Sequence, residues 1–235
     1  PSLEQINHVL GEMPFSSEVE KRNRALIAFV LLTGARDSAV ASMRLKHVDL
    51  VEGSIYQDAR EVKTKFSKSF QTYFFPVGDQ PRAILEDWVQ YLKKEKLWGS
   101  DDPLFPATLV KRGDSKQFEV VGLDRKCWSN ASPIRKIFRQ AFEAAGLDYY
   151  NPHSFRNTLV RLGEQKCSSP EAFKAWSQNL GHEKVLTTFY SYGEVDFERQ
   201  GTIIKSLSVK NLENQEDVTQ IVEQLLVRVK SSKII

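Results

Sequence analysis

Apolar positions recur at helical spacing through most of the chain. Between residues 19 and 32, Ala25, Phe29 and Leu32 share one face, which predicts a helix, and Gly34 just beyond it fits a left-handed stop. A second helix is expected from a cap at Asp37 or Ser38, burying Val40, Met43 and Leu45. Residues 82–94 form an amphipathic stretch with Ile84, Leu85, Trp88 and Leu92 inward. Residues 133–145 read as a helix ending at Gly146, followed by two more over 153–165 and 170–179, the latter stopping before Gly181. In the tail, Val218, Ile221, Val222, Leu225, Leu226 and Val229 again keep helical spacing.

The period changes between residues 50 and 77. Gly53 marks a turn, residues 54–57 and 60–64 look strand-like, and 69–76 are rich in β-formers. A small antiparallel sheet is expected there, its last hairpin carrying Lys63, Lys65 and Lys68. Residues 100–130 are loop-rich and show no clear element, and residues 1–14 read as a short helix and turn at the end of a linker. No repeat or low-complexity stretch interrupts the pattern. The fold class is therefore α+β, mostly α: a helical domain with a small antiparallel three-stranded β-sheet. Its expected boundaries are a linker stub over 1–14, one domain over 15–211 and an amphipathic tail over 212–235.

Composition narrows the class. With 41% hydrophobic and 27% charged residues among 235, the chain has enough apolar material for a globular core and is far from disorder. Its richest apolar run, residues 26–32, is of helix-core length, so no membrane partner is expected. No signal segment opens the sequence, and the two cysteines, Cys127 and Cys167, lack metal-ligand spacing; a cytoplasmic location is expected. The net charge of +3 is mild, but its distribution is uneven. Arg60, Lys63, Lys65 and Lys68 crowd one segment, and Lys111, Arg112, Lys116, Arg125, Lys126, Arg135, Lys136 and Arg139 another, between acidic ends. Such a middle suits one DNA-facing surface, although solvated helix faces explain charge alone equally well.

Three separated segments combine cations, histidines and a late tyrosine. In Thr33-Gly34-Ala35-Arg36 an arginine sits just past a helix break. In His153-Ser154-Phe155-Arg156 two polar groups lie one helical turn apart, on one face. Leu180-Gly181-His182 is followed by Thr187, Thr188, Tyr190 and Tyr192. Each has an ordinary explanation by itself: a helix stop, a capped helix start, a plain turn. Only four histidines exist, however, and two fall in these motifs.

Taken in this order, the motifs resemble the tyrosine recombinase (phage integrase) family, specifically its catalytic domain, over residues 2–205. The resemblance implies a mechanism. A tyrosine hydroxyl attacks the scissile phosphate of double-stranded DNA, leaving a 3′-phosphotyrosine and a free 5′-hydroxyl. It also implies that Arg36 and Arg156 grip the phosphate, that His153 and His182 manage hydrogen bonds and protons around it, and that a hairpin lysine protonates the leaving oxygen. Two permanently charged planar forks can stabilise developing phosphoryl charge without a metal, so no metal, nucleotide or other cofactor is expected. Among the lysines Lys65 is preferred, with Lys68 close behind and Lys63 third, because this hairpin looks longer than the commonest family version.

Two positions depart from the family pattern. The usual nucleophile lies nine residues after the Leu-Gly-His histidine, where this chain has Ser191. Tyr190 and Tyr192 flank it, and the run Phe189-Tyr190-Ser191-Tyr192-Gly193 resembles integrases in which the tyrosine before glycine attacks; Tyr192 is the expected nucleophile. Ala39 stands where many relatives carry glutamate, with Asp37 available as helix cap or arginine partner, and Asn157 replaces a common histidine.

The resemblance further implies a homotetramer on DNA, a preceding core-binding domain of which only a stub is expected here, and weak sequence-specific binding by this portion alone. Two alternatives remain at this point: a type IB topoisomerase relaxing supercoils by the same chemistry, and a catalytically silent DNA-binding accessory protein. A metal-dependent nuclease is disfavoured because no carboxylate cluster accompanies the histidines.

Overall fold

The structure, a computed structural model, describes residues 1–64, 68–112 and 117–182, together with residues 198, 200, 202 and 204. The chain divides into two compact units, Pro1–Thr188 and Phe189–Ile235. Of the second, Glu198, Gln200, Thr202 and Ile204 are described, as exposed helical residues.

The first unit is built around one buried helix. After α1 (Leu3–Glu12), α2 (Glu18–Thr33) starts at a capping box. Glu20 N–H donates to Ser17 Oγ and Ser17 N–H to the Glu20 carboxylate, satisfying two otherwise unpaired amides. From Ala25 to Thr33 every residue is buried, so α2 is covered on all sides. It stops at Gly34, whose φ of +60° is the left-handed conformation that costs glycine least. Residues 1–14, expected as a short helix and turn at the end of a linker, carry α1, which buries Ile6, Val9 and Leu10 and packs on α2 and on α5 (Ser132–Ala144).

A short α3 (Asp37–Val40) follows, with Val40, Met43 and Leu45 buried as expected. Helix α4 (Asp79–Lys94) lies along α2 through Leu85, Trp88, Val89 and Leu92, and Trp88 Nε1 donates to Leu104 C=O at 2.8 Å. Helices α5, α6 (Ser154–Lys166) and α7 (Pro170–Asn179) complete the helical layer. No helix among the described residues is long and apolar enough to cross a membrane.

The three-stranded antiparallel sheet is present: β1 (Val48–Asp49), β2 (Ser54–Gln57) and β3 (Phe70–Tyr73), in that order, with Ile55 opposite Thr72. Two details differ from the sequence reading. Residues 60–64 are not a strand. The Asp58 side chain accepts from Arg60 N–H at 3.0 Å and from its guanidinium at 2.6 Å, while Val62 N–H donates to Asp58 C=O at 2.7 Å. This local network offers the backbone a turn that outweighs its β-propensity. Residues 58–64 and 68–69 are thus outside any strand between β2 and β3, and they carry Lys63 and Lys68. Secondly, the loop-rich stretch contains a hairpin, β4 (Ala107–Arg112) and β5 (Phe118–Asp124), with a bulge at Leu109/Val110. Its base is fixed to α2 by Glu18, which accepts from Leu123 N–H at 2.9 Å.

Candidate active site

The break after α2, the start of α6 and the turn after α7 converge. Arg156 lies in the first turn of α6 and is 4% exposed. Its Nη1 donates to Gly34 C=O at 2.7 Å, and its Nη2 donates to Leu180 C=O at 2.6 Å and to His182 Nε2 at 2.8 Å. One guanidinium therefore ties all three motifs together. Gly34 is read from sequence only as a helix stop, but it also makes the approach possible. A Cβ there would meet Leu180 Cδ2 at 2.8 Å and Leu159 Cδ1 at 3.1 Å.

Burial and neighbouring cations set the electrostatics of the pocket. Burial, and after it the positive charge of Arg36, lower the Arg156 pKa to about 10. Arg36, half-buried at the head of α3, is also held below its ordinary value by burial. Among the described residues no carboxylate offsets either group, so two cations that stay charged at neutral pH lie near each other. His182 reports the same field. Its pKa falls to about 4, first through burial and then through the charges of Arg156, Arg36 and His153. His182 is therefore neutral at neutral pH, and because its Nε2 accepts from Arg156, its proton sits on Nδ1.

His153 is exposed at the N-cap position of α6, and the capping is done by Asn151, whose Oδ1 accepts from Ser154 N–H at 3.0 Å. The ring is thus not consumed in capping the helix. Of the six expected residues, Arg36, His153, Arg156 and His182 come together; Lys65 and Tyr192, like Tyr190, lie outside the described residues. Lys63 is committed elsewhere: its Nζ donates to Ser129 C=O at 3.0 Å, while its backbone bonds Ser42 and Ser38. Lys68 is exposed two residues before β3.

Asp37 does not serve Arg36. Its Oδ2 accepts from Arg135 Nε at 2.7 Å and its Oδ1 from Ser38 N–H at 2.8 Å. Arg135 is a partner the sequence reading missed, since α5 lies far away in the chain. Other members of the basic middle are similarly occupied: Arg60 by Asp58, Arg125 by Asp102, and Arg139 by Glu143 and the Tyr149 ring. Pairs this exposed are weak and can exchange a carboxylate for a phosphate.

The first unit thus combines a helical layer and a small antiparallel sheet with a pocket of two arginines and two histidines, and among the described residues no group of His, Cys, Asp and Glu could hold a metal ion. The model of the phage integrase family matches residues 2–199, and the chain belongs to that family. Among curated relatives it is 23% identical over 186 residues to tyrosine recombinase XerC of Halalkalibacterium halodurans, covering 79% of this chain and 54% of that protein. It is 24% identical over 202 residues to XerC of Yersinia pestis, covering 86% and 56%. The chain spans about half the length of the curated relatives it matches. Solved structures give the same fold. XerH recombinase bound to its difH substrate aligns with a TM-score of 0.59 at 19% identity, covering 86% of this chain and 51% of that one. XerA recombinase gives 0.58 at 17%, covering 88% and 62%. A lambda integrase dimer on a core site gives 0.56 at 15%, covering 83% and 61%.

Proposed function

We propose that the chain is the catalytic portion of a site-specific DNA recombinase, an integrase that cuts and rejoins double-stranded DNA through a 3′-phosphotyrosine. The observation that carries this reading is the pair of neighbouring guanidiniums, Arg36 and Arg156, beside His182 and His153, with no carboxylate partner among the described residues. Such a pocket binds a dianionic, five-coordinate phosphorus better than the ground-state monoanion, which is the requirement for catalysis. Arg156 is preorganised by two carbonyls and an imidazole, so little reorganisation accompanies charge development. His182 donates from Nδ1 once the phosphate displaces its present contacts, and His153 adds a second polar group at the mouth.

Tyr192 is the nucleophile in this reading and Lys65 the general acid, with Lys68 the alternative. The catalytic unit comprises residues 15–211 with α1 packed on it, and residues 212–235 form an amphipathic tail. The working assembly is a homotetramer on DNA in the bacterial cytoplasm, and neither metal nor nucleotide takes part. The test is incubation with a nicked duplex carrying the chain's own recombination junction, in chelator and without nucleotide. The reading expects a protein–DNA adduct that survives denaturing electrophoresis. Tight DNA binding by this chain with no adduct would support a silent accessory protein instead.

A further inference from the structure

Among the described residues strand β3 is the outer strand of its sheet, and no described strand pairs with the backbone groups on its far side. Asn179, the last residue of α7, takes that place. Its Oδ1 accepts from Tyr73 N–H at 2.7 Å and its Nδ2 donates to Tyr73 C=O at 2.8 Å. The backbone of Tyr73 dictates which amide atom accepts and which donates, so the orientation of the side chain is determined. Beside this clamp the buried Thr72 hydroxyl donates to Asn179 C=O at 3.1 Å. At the start of the strand the Phe70 ring lies on Gly181, where a Cβ would come within 2.9 Å of Phe70 Cε2. Just past its end the Phe75 and Trp176 rings are 4.8 Å apart. The end of α7 and β3 are therefore joined along the whole strand.

The two joined segments lead to different parts of the chemistry. From Asn179 the backbone runs directly to Leu180, whose carbonyl holds Arg156, and to His182. From β3 it runs back to Lys68 and Lys65. We propose that Asn179 is a positioning residue: it holds β3, and with it the general-acid lysine that precedes β3, in register with the phosphate pocket. This rests on the recombinase reading given above.

The chemistry separates a lysine defect from a pocket defect. In cleavage the tyrosine oxygen–phosphorus bond forms and the bond from phosphorus to the 5′-oxygen breaks. The electron pair goes to that oxygen, which takes a proton from the lysine ammonium. With sulfur in the 5′-bridging position the phosphorus–sulfur bond breaks and the pair stays on sulfur as a thiolate, a much weaker base that leaves without a proton. A misplaced lysine slows only the oxygen substrate. Misplaced arginines or histidines, or a partly unfolded site, slow both.

The experiment is single-turnover adduct formation by the full chain on nicked duplexes of its own junction, with oxygen or sulfur at the scissile position. It compares native protein, Asn179→Ala and Asn179→Asp, the last keeping an acceptor for Tyr73 N–H but losing the donor. Both variants are expected to slow cleavage of the oxygen substrate by about tenfold or more, and of the sulfur substrate by no more than about threefold. Equal slowing of both substrates, or of neither, overturns the proposal. Should Asn179→Ala fail to melt cooperatively, Asn179→Asp decides between these outcomes. Native protein forming no adduct on either duplex overturns the recombinase reading itself, and the proposal with it.

Discussion

Arg156 Nη2 donates to His182 Nε2 at 2.8 Å, and burial together with the charge of Arg156 keeps the imidazole neutral. The imidazole is kept neutral beside a buried guanidinium, and the guanidinium is kept in one orientation by an imidazole and two carbonyls. Lysine at position 156 retains the charge but cannot reach three acceptors from one planar fork. Arg156→Lys is therefore expected to lower the rate of adduct formation by about a hundredfold or more, measured in single turnover. A variant within a few-fold of native would mean that point charge alone suffices.

Stability should respond to pH through His182. Its folded pKa of about 4 lies below the ordinary 6.5, so the unfolded chain binds the proton more readily between these values. The protein is expected to lose stability as pH falls from 6.5 towards 4, with the full contribution present above 6.5. His47, also held low by burial, acts in the same direction, so His182→Gln should flatten the dependence without abolishing it. Melting temperatures of the two proteins across this window provide the check; parallel curves would contradict the assignment.

Gly34 is required twice over, by its φ of +60° and by the space that Leu180 and Leu159 occupy. Gly34→Ala is expected to cost about 1–3 kcal/mol in denaturant unfolding. It should also slow cleavage, because the carbonyl of this residue holds Arg156. Unchanged stability would show that the α2–α6 junction has slack.

The lysines should divide by their partners. Lys63→Met, which removes a contact to Ser129, is expected to leave cleavage within about threefold of native. Lys65→Met should lower it by about two to four orders of magnitude with oxygen at the scissile position, and far less with sulfur. If Lys68→Met shows that pattern instead, the general acid moves three positions along the chain and the mechanism stands.

Much of this arrangement is legible in the sequence because it is local. The helices at 19–32, 82–94 and 133–145 announce themselves by period, and Gly34 by its position after the first. Arg36, His153, Arg156 and His182 are recognisable by order and spacing, and the structure brings them together. What escapes the sequence is decided at long range or by competition. The β4–β5 hairpin has β-branched runs on either side of Gly113-Asp114, a turn signal in itself. Its outer half, however, exposes Val110, Phe118, Val120 and Val121, so no alternation of buried and exposed residues marks it. The strand expected over 60–64 loses to the side chain of Asp58, and the partner of Asp37 comes from a helix almost a hundred residues away.

The most direct test of the account is covalent trapping with tyrosine variants on nicked junction DNA. Native chain, Tyr192→Phe, Tyr190→Phe and the double variant would be compared on a denaturing gel. The account predicts a shifted band that disappears only with Tyr192→Phe. Loss with Tyr190→Phe alone would keep the chemistry and move the nucleophile. A band that persists in both single variants and in the double variant would contradict a tyrosine mechanism at this site.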